Sequence, residues 1–155
     1  MITTSNIENF DLLTARIFAS LYENFPVGIS LQASKYGVDV DKAFADFSDI
    51  DGPTFKALNF FCATVRWLSS AGYIEFETET NGGVFFDATL TSKGLEVLKA
   101  TPASLDNTPD GTKTIGEYLV DGAKNGVTEA MKKGVTYALS TGASLAWNAV
   151  LTAVR

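Results

Sequence analysis

ATVRWLSSAGYIEFETETNGGVFFDATLTSKGL, residues 63–95, is the stretch on which the fold turns. It opens as the end of a helix, and Gly72 is placed to stop that helix. Ile74, Phe76 and Thr78 then alternate with Glu75, Glu77 and Glu79, the period of a strand with one wet face. Asn81-Gly82-Gly83 supplies a hairpin turn, and Val84, Phe86, Ala88 and Leu90 return from it. Thr91 is positioned to cap a short helix carrying Leu95, Val97 and Leu98, which ends near Pro102.

Reading toward the N-terminus, Asp51-Gly52-Pro53 is a helix start, so the helix before the hairpin is predicted over about 54–71. Its expected buried face is Ala57, Leu58, Phe61, Val65 and Leu68. Ser5-Asn6-Ile7-Glu8 reads as a capping box. Ile7, Phe10, Leu13, Ile17 and Leu21 follow at helical spacing up to Pro26. Ile29-Ser30-Leu31 is expected to be a short strand. Between 32 and 53, aspartates 39, 41, 46, 49 and 51 surround Phe44 and Phe47, with one short helix expected around Lys42–Phe47.

The order helix, short strand, helical region, long helix, two-stranded wing, helix resembles the winged helix-turn-helix superfamily. The resemblance is carried by Ala63-Thr64-Val65-Arg66-Trp67-Leu68-Ser69-Ser70-Ala71-Gly72-Tyr73-Ile74 and by Leu90-Thr91-Ser92-Lys93-Gly94-Leu95. The first is similar to the end of a recognition helix leading into a wing strand, the second to an LT-x-x-G return into the next helix. It covers roughly residues 7–101. It implies an α+β winged-helix-like domain with a two-stranded wing, of a kind that binds DNA in many members and only proteins in others.

Toward the C-terminus, 102–113 (PASLDNTPDGTK) is linker by composition. Thr114-Ile115-Gly116-Glu117 is a second capping box, opening a predicted long helix over 114–155. From Gly122 every fourth residue is small: Gly122, Gly126, Ala130, Gly134, Ala138, Gly142 and Ala146. Such a ridge admits a second helix at close range. Met131, Leu139 and Trp147 lie on the neighbouring apolar ridge as knobs. Interior glycines cost about 1 kcal/mol each relative to alanine, so contact with another element should offset them. The resulting organisation is a 1–101 winged-helix-like domain, a 102–113 linker and a 114–155 Gly/Ala-ridged assembly helix.

Composition narrows the function classes. The 155 residues include no histidine, which removes the commonest general base and metal ligand. Cys62 lies in Phe60-Phe61-Cys62-Ala63, without an adjacent cation in sequence, and reads as a packed helix residue. Asp49-Ile50-Asp51-Gly52 imitates part of a calcium loop, but the register puts Phe47 and Leu58 at the ligand positions. Asp39 and Asp41 read as turn chemistry. No Gly-rich phosphate loop is present. No catalytic, metal or cofactor residue is assigned, and a non-enzyme is expected.

Charge bears on partners. Residues 1–101 hold 13 acids and 7 bases, net −6, and residues 102–155 hold 5 of each. Phosphate binding needs several cations. The face available for DNA is Lys56, Asn59, Arg66, Ser69 and Ser70, beside Cys62 and Ala63, with only two bases, and Glu75, Glu77 and Glu79 read as a solvated strand face that discourages edge pairing. The expectation is therefore a homo-oligomer that self-associates through the C-terminal ridge, with a protein partner for the acidic domain. A dimeric winged-helix DNA regulator is the alternative. A second alternative is membrane association through 134–154, which is uncharged, although Asn148 and six Ser, Thr or Tyr residues leave it poorly apolar. One cysteine and no basic, apolar leader point to the cytoplasm.

Overall fold

A computed structural model describes residues 5–45, 52–101 and 113–153, with side chains of the last helix described through residue 144. The chain is α+β. Helix α1 (Asn6–Asn24) leads to strand β1 (Ile29–Gln32), a 3-10 turn (Ala33–Tyr36) and helices α2 (Val40–Ala45) and α3 (Pro53–Ser70). Strands β2 (Ile74–Glu75), β3 (Thr78–Glu79) and β4 (Val84–Leu90) follow, then helices α4 (Ser92–Lys99), α5 (Ile115–Asn125) and α6 (Thr128–Ala153).

Local chemistry sets the helix ends. Ser5, Thr91 and Thr114 each accept a hydrogen bond from the amide three residues on, at Glu8, Gly94 and Glu117. Asp39 does the same for Lys42 ahead of α2, so α2 starts earlier than the Lys42–Phe47 expectation; residues 46 and 47 lie outside the described ones. Helix α3 closes in a Schellman motif: Gly72 has φ +89°, its N–H donates to Ser69 O, and Tyr73 N–H donates to Leu68 O.

All pairing in the sheet is antiparallel. The order is β1-β4-β2, with β3 also pairing β4. Strict alternation along 84–90 is broken by a bulge at Asp87, a non-glycine residue with φ +54°, between the β1 partners Ile29↔Ala88 and Leu31↔Phe85. The extra residue turns Phe85 into the core and leaves Phe86 44% exposed, the reverse of the expected alternation. Phe85 then meets Phe61 and Phe76 at centroid distances of 6.0 and 4.9 Å, both edge-on.

The two quoted segments that carry the family resemblance meet in space. Thr91 Oγ1 donates to Gly72 O, Thr91 N–H donates to Tyr73 O, and Lys93 Nζ donates to Ala71 O at 2.9 Å. Gly94 is required there, because a Cβ would lie 2.1 Å from Tyr73 O. Helix α4 is thereby pinned to the α3–β2 turn.

The expected continuous helix over 114–155 is instead two helices. Gly126 adopts φ +66° as the C-cap of α5, and its N–H and that of Val127 both donate to Gly122 O. Asn125-Gly126 is the break signal. The two helices run antiparallel, with Gly122 against Met131 and Gly134 against Leu119. Nor do they form a separate tail: Ile115, Leu119, Val135 and Ala138 are fully buried in one core cluster with Ile17 and Phe18 of α1. The division into a 1–101 domain and a 114–155 assembly helix is corrected accordingly. A long solvent-exposed helix with interior glycines is costly, and folding back offsets that cost with burial. The 102–112 part of the expected linker lies outside the described residues.

Gly94→Ala should destabilise by about 3 kcal/mol, the upper end of overpacking costs. Gly126 has open space around it, so Gly126→Ala should cost only about 1 kcal/mol of left-handed strain. Urea midpoints of the two variants give this order, and equal midpoints would contradict the close α4–turn contact.

Candidate interaction surfaces

The small-residue ridge faces inward. A Cβ on Gly134 would lie 2.5 Å from Leu119 Cδ2, and one on Gly142 would lie 2.2 Å from Tyr73 Oη. A Cβ on Gly122 would lie 3.3 Å from Met131 Cγ, Ala138 is fully buried, and Ala130 is half-buried. Gly126 has left the ridge to become a cap. Of the expected knobs, Met131 is buried in the chain's own core and Leu139 is half-buried, with its carbonyl accepting from Tyr73 Oη. Ala146 and Trp147 lie outside the described side chains. The close helix contact that the ridge demands is therefore met within one chain, by α5, α1 and Tyr73. Gly116, outside the ridge, does the same work, approaching the Tyr22 ring to 2.6 Å at its virtual Cβ.

The α3 face expected to be available for DNA is also altered by the fold. Lys56, Asn59 and Ser70 are exposed and Ser69 is half-buried. Arg66 is exposed, but its Nε donates to both Glu79 carboxylate oxygens at 3.1 Å and its Nη2 to one of them at 2.9 Å. That fork is the geometry a guanine edge would need, and Glu79 of the hairpin fills it. The hairpin tip is held down too: Gly83 is buried against Leu58 and Ala33, and Ala33 N–H donates to Gly83 O. Glu75 at the end of β2 and Glu77 between β2 and β3 are both exposed.

Two residues assigned to α3 faces change places. Cys62, expected outward, is 7% exposed, and Ala57, expected inward, is exposed. The Gly83 turn covers Cys62 at 3.7 Å from its virtual Cβ. Burial pushes the Cys62 thiol above its ordinary pKa, with Arg66 opposing and Glu79 adding to the rise. The neutral thiol is a weak nucleophile. Among the described residues no group of three or more acids or cysteines is arranged to hold a metal ion, and no helix is long and apolar enough to cross a membrane.

An apolar cleft of about 380 Å³ lies where the start of α1 crosses the middle of α3. Ile7, Phe10, Phe60, Ala63 and Trp67 line it, with no charged side chain among its lining residues. Ile7 is 63% and Trp67 48% exposed. Phe10 meets Trp67 edge-on at 5.3 Å, which holds the indole upright at the rim. Ile7 was expected on the buried face of α1. The helix runs past the core at this end and leaves it out. The sequence signal for the cleft was an α3 apolar face wider than its core stripe, since Phe60, Ala63 and Trp67 lie beside Phe61, Val65 and Leu68.

Compared with protein-family models, curated proteins and solved structures, the chain matches none.

Gly134→Leu and Gly142→Leu should each lower the thermal midpoint by several degrees, from overpacking of about 1–3 kcal/mol. Calorimetry reads this directly, and midpoints unchanged from the parent would mean that the ridge is not packed against its own chain. Native Cys62 should react with iodoacetamide at a small fraction of the rate measured in denaturant, and equal rates would contradict its burial.

Proposed function

We propose that this chain is a non-enzymatic protein-interaction module of winged-helix type that self-associates through the α1–α3 cleft. The strand order and the packing of α4 on the α3–β2 turn support the winged-helix reading. The observation that carries the function is the cleft itself, an uncharged apolar surface on a molecule of net charge −6. Two acidic copies repel over most of their surfaces. At this cleft they close without apposing like charges. A two-fold contact makes the surface its own complement: Trp67 of one copy enters the cleft beside Phe60 and Ala63 of the other. An exposed tryptophan over a pocket is also the residue type that dominates interface energetics. The site differs from the C-terminal ridge that the spacing first suggested, because that ridge is filled.

Ile7 and Ala63 are exposed, so Ile7→Lys with Ala63→Glu should leave the fold intact. Sedimentation velocity across a concentration series should show a dimer for the parent chain and a monomer for the double variant. A parent chain that stays monomeric at its highest attainable concentration would remove the self-association reading.

Exposed Lys56 and Asn59 on α3 favour one second reading, the DNA-binding regulator. The Arg66–Glu79 pair opposes it. Electrophoretic shift with random duplex DNA at low salt should give no complex. A complex that weakens steeply with salt and is lost in Arg66→Ala would establish the regulator instead.

A further inference from the structure

We infer that the outer edge of β1 is a second docking site, one that takes an extended acidic peptide as an added strand. Strand β1 has a neighbour on one side only, since it ends the order β1-β4-β2 among the described residues. Ala33 N–H donates to Gly83 O at 2.9 Å. Alternation along the strand then turns the backbone groups of Leu31 toward β4 and those of Ser30 and Gln32 away from it. No described backbone group pairs with that outward edge. An unpaired strand edge is a template for another chain.

Beside this edge runs a groove of about 670 Å³, walled by α1, the 3-10 turn and α5. Its size suits a short extended segment. Its charge selects which one. Arg16, Lys35 and Lys124, three of the chain's twelve basic residues, line it together with Glu23 alone of the eighteen acids. Lys124 pairs with Glu23 at 3.0 Å, which leaves Arg16 and Lys35 uncompensated by any lining carboxylate. The Arg16 guanidinium is held in place, donating to Lys35 O at 3.2 Å and lying 5.0 Å from the Tyr36 ring centroid. Tyr36 in turn donates to Ser20 Oγ at 3.2 Å on the opposite wall. A positive groove on an acidic protein repels copies of its own acidic surface least and draws acidic segments most. Backbone pairing at Ser30 and Gln32 supplies the register, and the cations choose the side chains. The site lies apart from the α1–α3 cleft and does not depend on self-association there.

The experiment uses the full chain and a fluorescein-labelled hexapeptide, Glu-Val-Glu-Val-Glu-Thr, read by fluorescence polarisation. The peptide should bind, its lysine counterpart Lys-Val-Lys-Val-Lys-Thr should not, and added salt should weaken the complex. Reversing two exposed charges, Lys35→Glu with Lys124→Glu, should weaken binding about tenfold, with an unchanged circular dichroism melt as the control for folding. N-methylation of alternate peptide amides should abolish binding, because it removes the ladder donors while keeping the charge. No binding by the acidic peptide, equal binding by the N-methylated peptide, or an unchanged affinity in the charge-reversed variant would each overturn the proposal.

Discussion

Tyr73 is the joint on which the architecture depends. Its backbone carbonyl receives Thr91 N–H and lies against Gly94, which holds α4 to the end of α3. Its ring stacks near Trp67, at a centroid distance of 6.4 Å, and tilts against Phe18 of α1 at 5.9 Å. Its hydroxyl donates to Leu139 O and occupies the space that Gly142 leaves open on α6. One side chain at a helix-to-strand turn thus touches the first helix, the third, the fourth and the last. Burial raises the Tyr73 pKa, so the hydroxyl remains a donor through the neutral range.

From that joint follows the distribution of surfaces. Helix α6 is drawn against Tyr73, and α1, α5 and α6 pack on one another, so the glycine ridge is consumed internally. No described residue covers the opposite end of α1, and there Ile7, Phe10 and Trp67 form the α1–α3 cleft. The Arg66–Glu79 fork and the buried Gly83 tip close off the hairpin side of α3. Among the surfaces that stay open are an uncharged apolar cleft and a cation-lined strand edge. Those surfaces suit protein contacts of two different chemistries.

Much of the fold was legible because it is written in local signals. Ser5, Thr91 and Thr114 cap the helices they were expected to cap, Gly72 ends α3, and the 74–90 hairpin forms around Asn81-Gly82-Gly83. Each of these is a short-range hydrogen bond or a backbone preference. The failures were of another kind. Phe85 and Phe86 exchange faces because a bulge at Asp87 inserts a residue into the alternation, and aspartate carries no turn signal strong enough to announce it. The small ridge was read as a surface because spacing shows that a helix can be approached, not by what.

The sequence by itself determined the α+β class, the helix starts at Ser5, Thr91 and Thr114, the stop at Gly72, and the requirement that another element lie close to Gly134 and Gly142. Periodicity, capping and turn chemistry act within a few residues of each other. Only the tertiary structure decided that the approaching groups are Leu119 and Tyr73 of the same chain, that Glu79 occupies the Arg66 fork, and that Ile7 stands clear of the core. Those outcomes depend on contacts between residues far apart in the chain, and a kink at Gly126 or a bulge at Asp87 redirects every such contact that follows it.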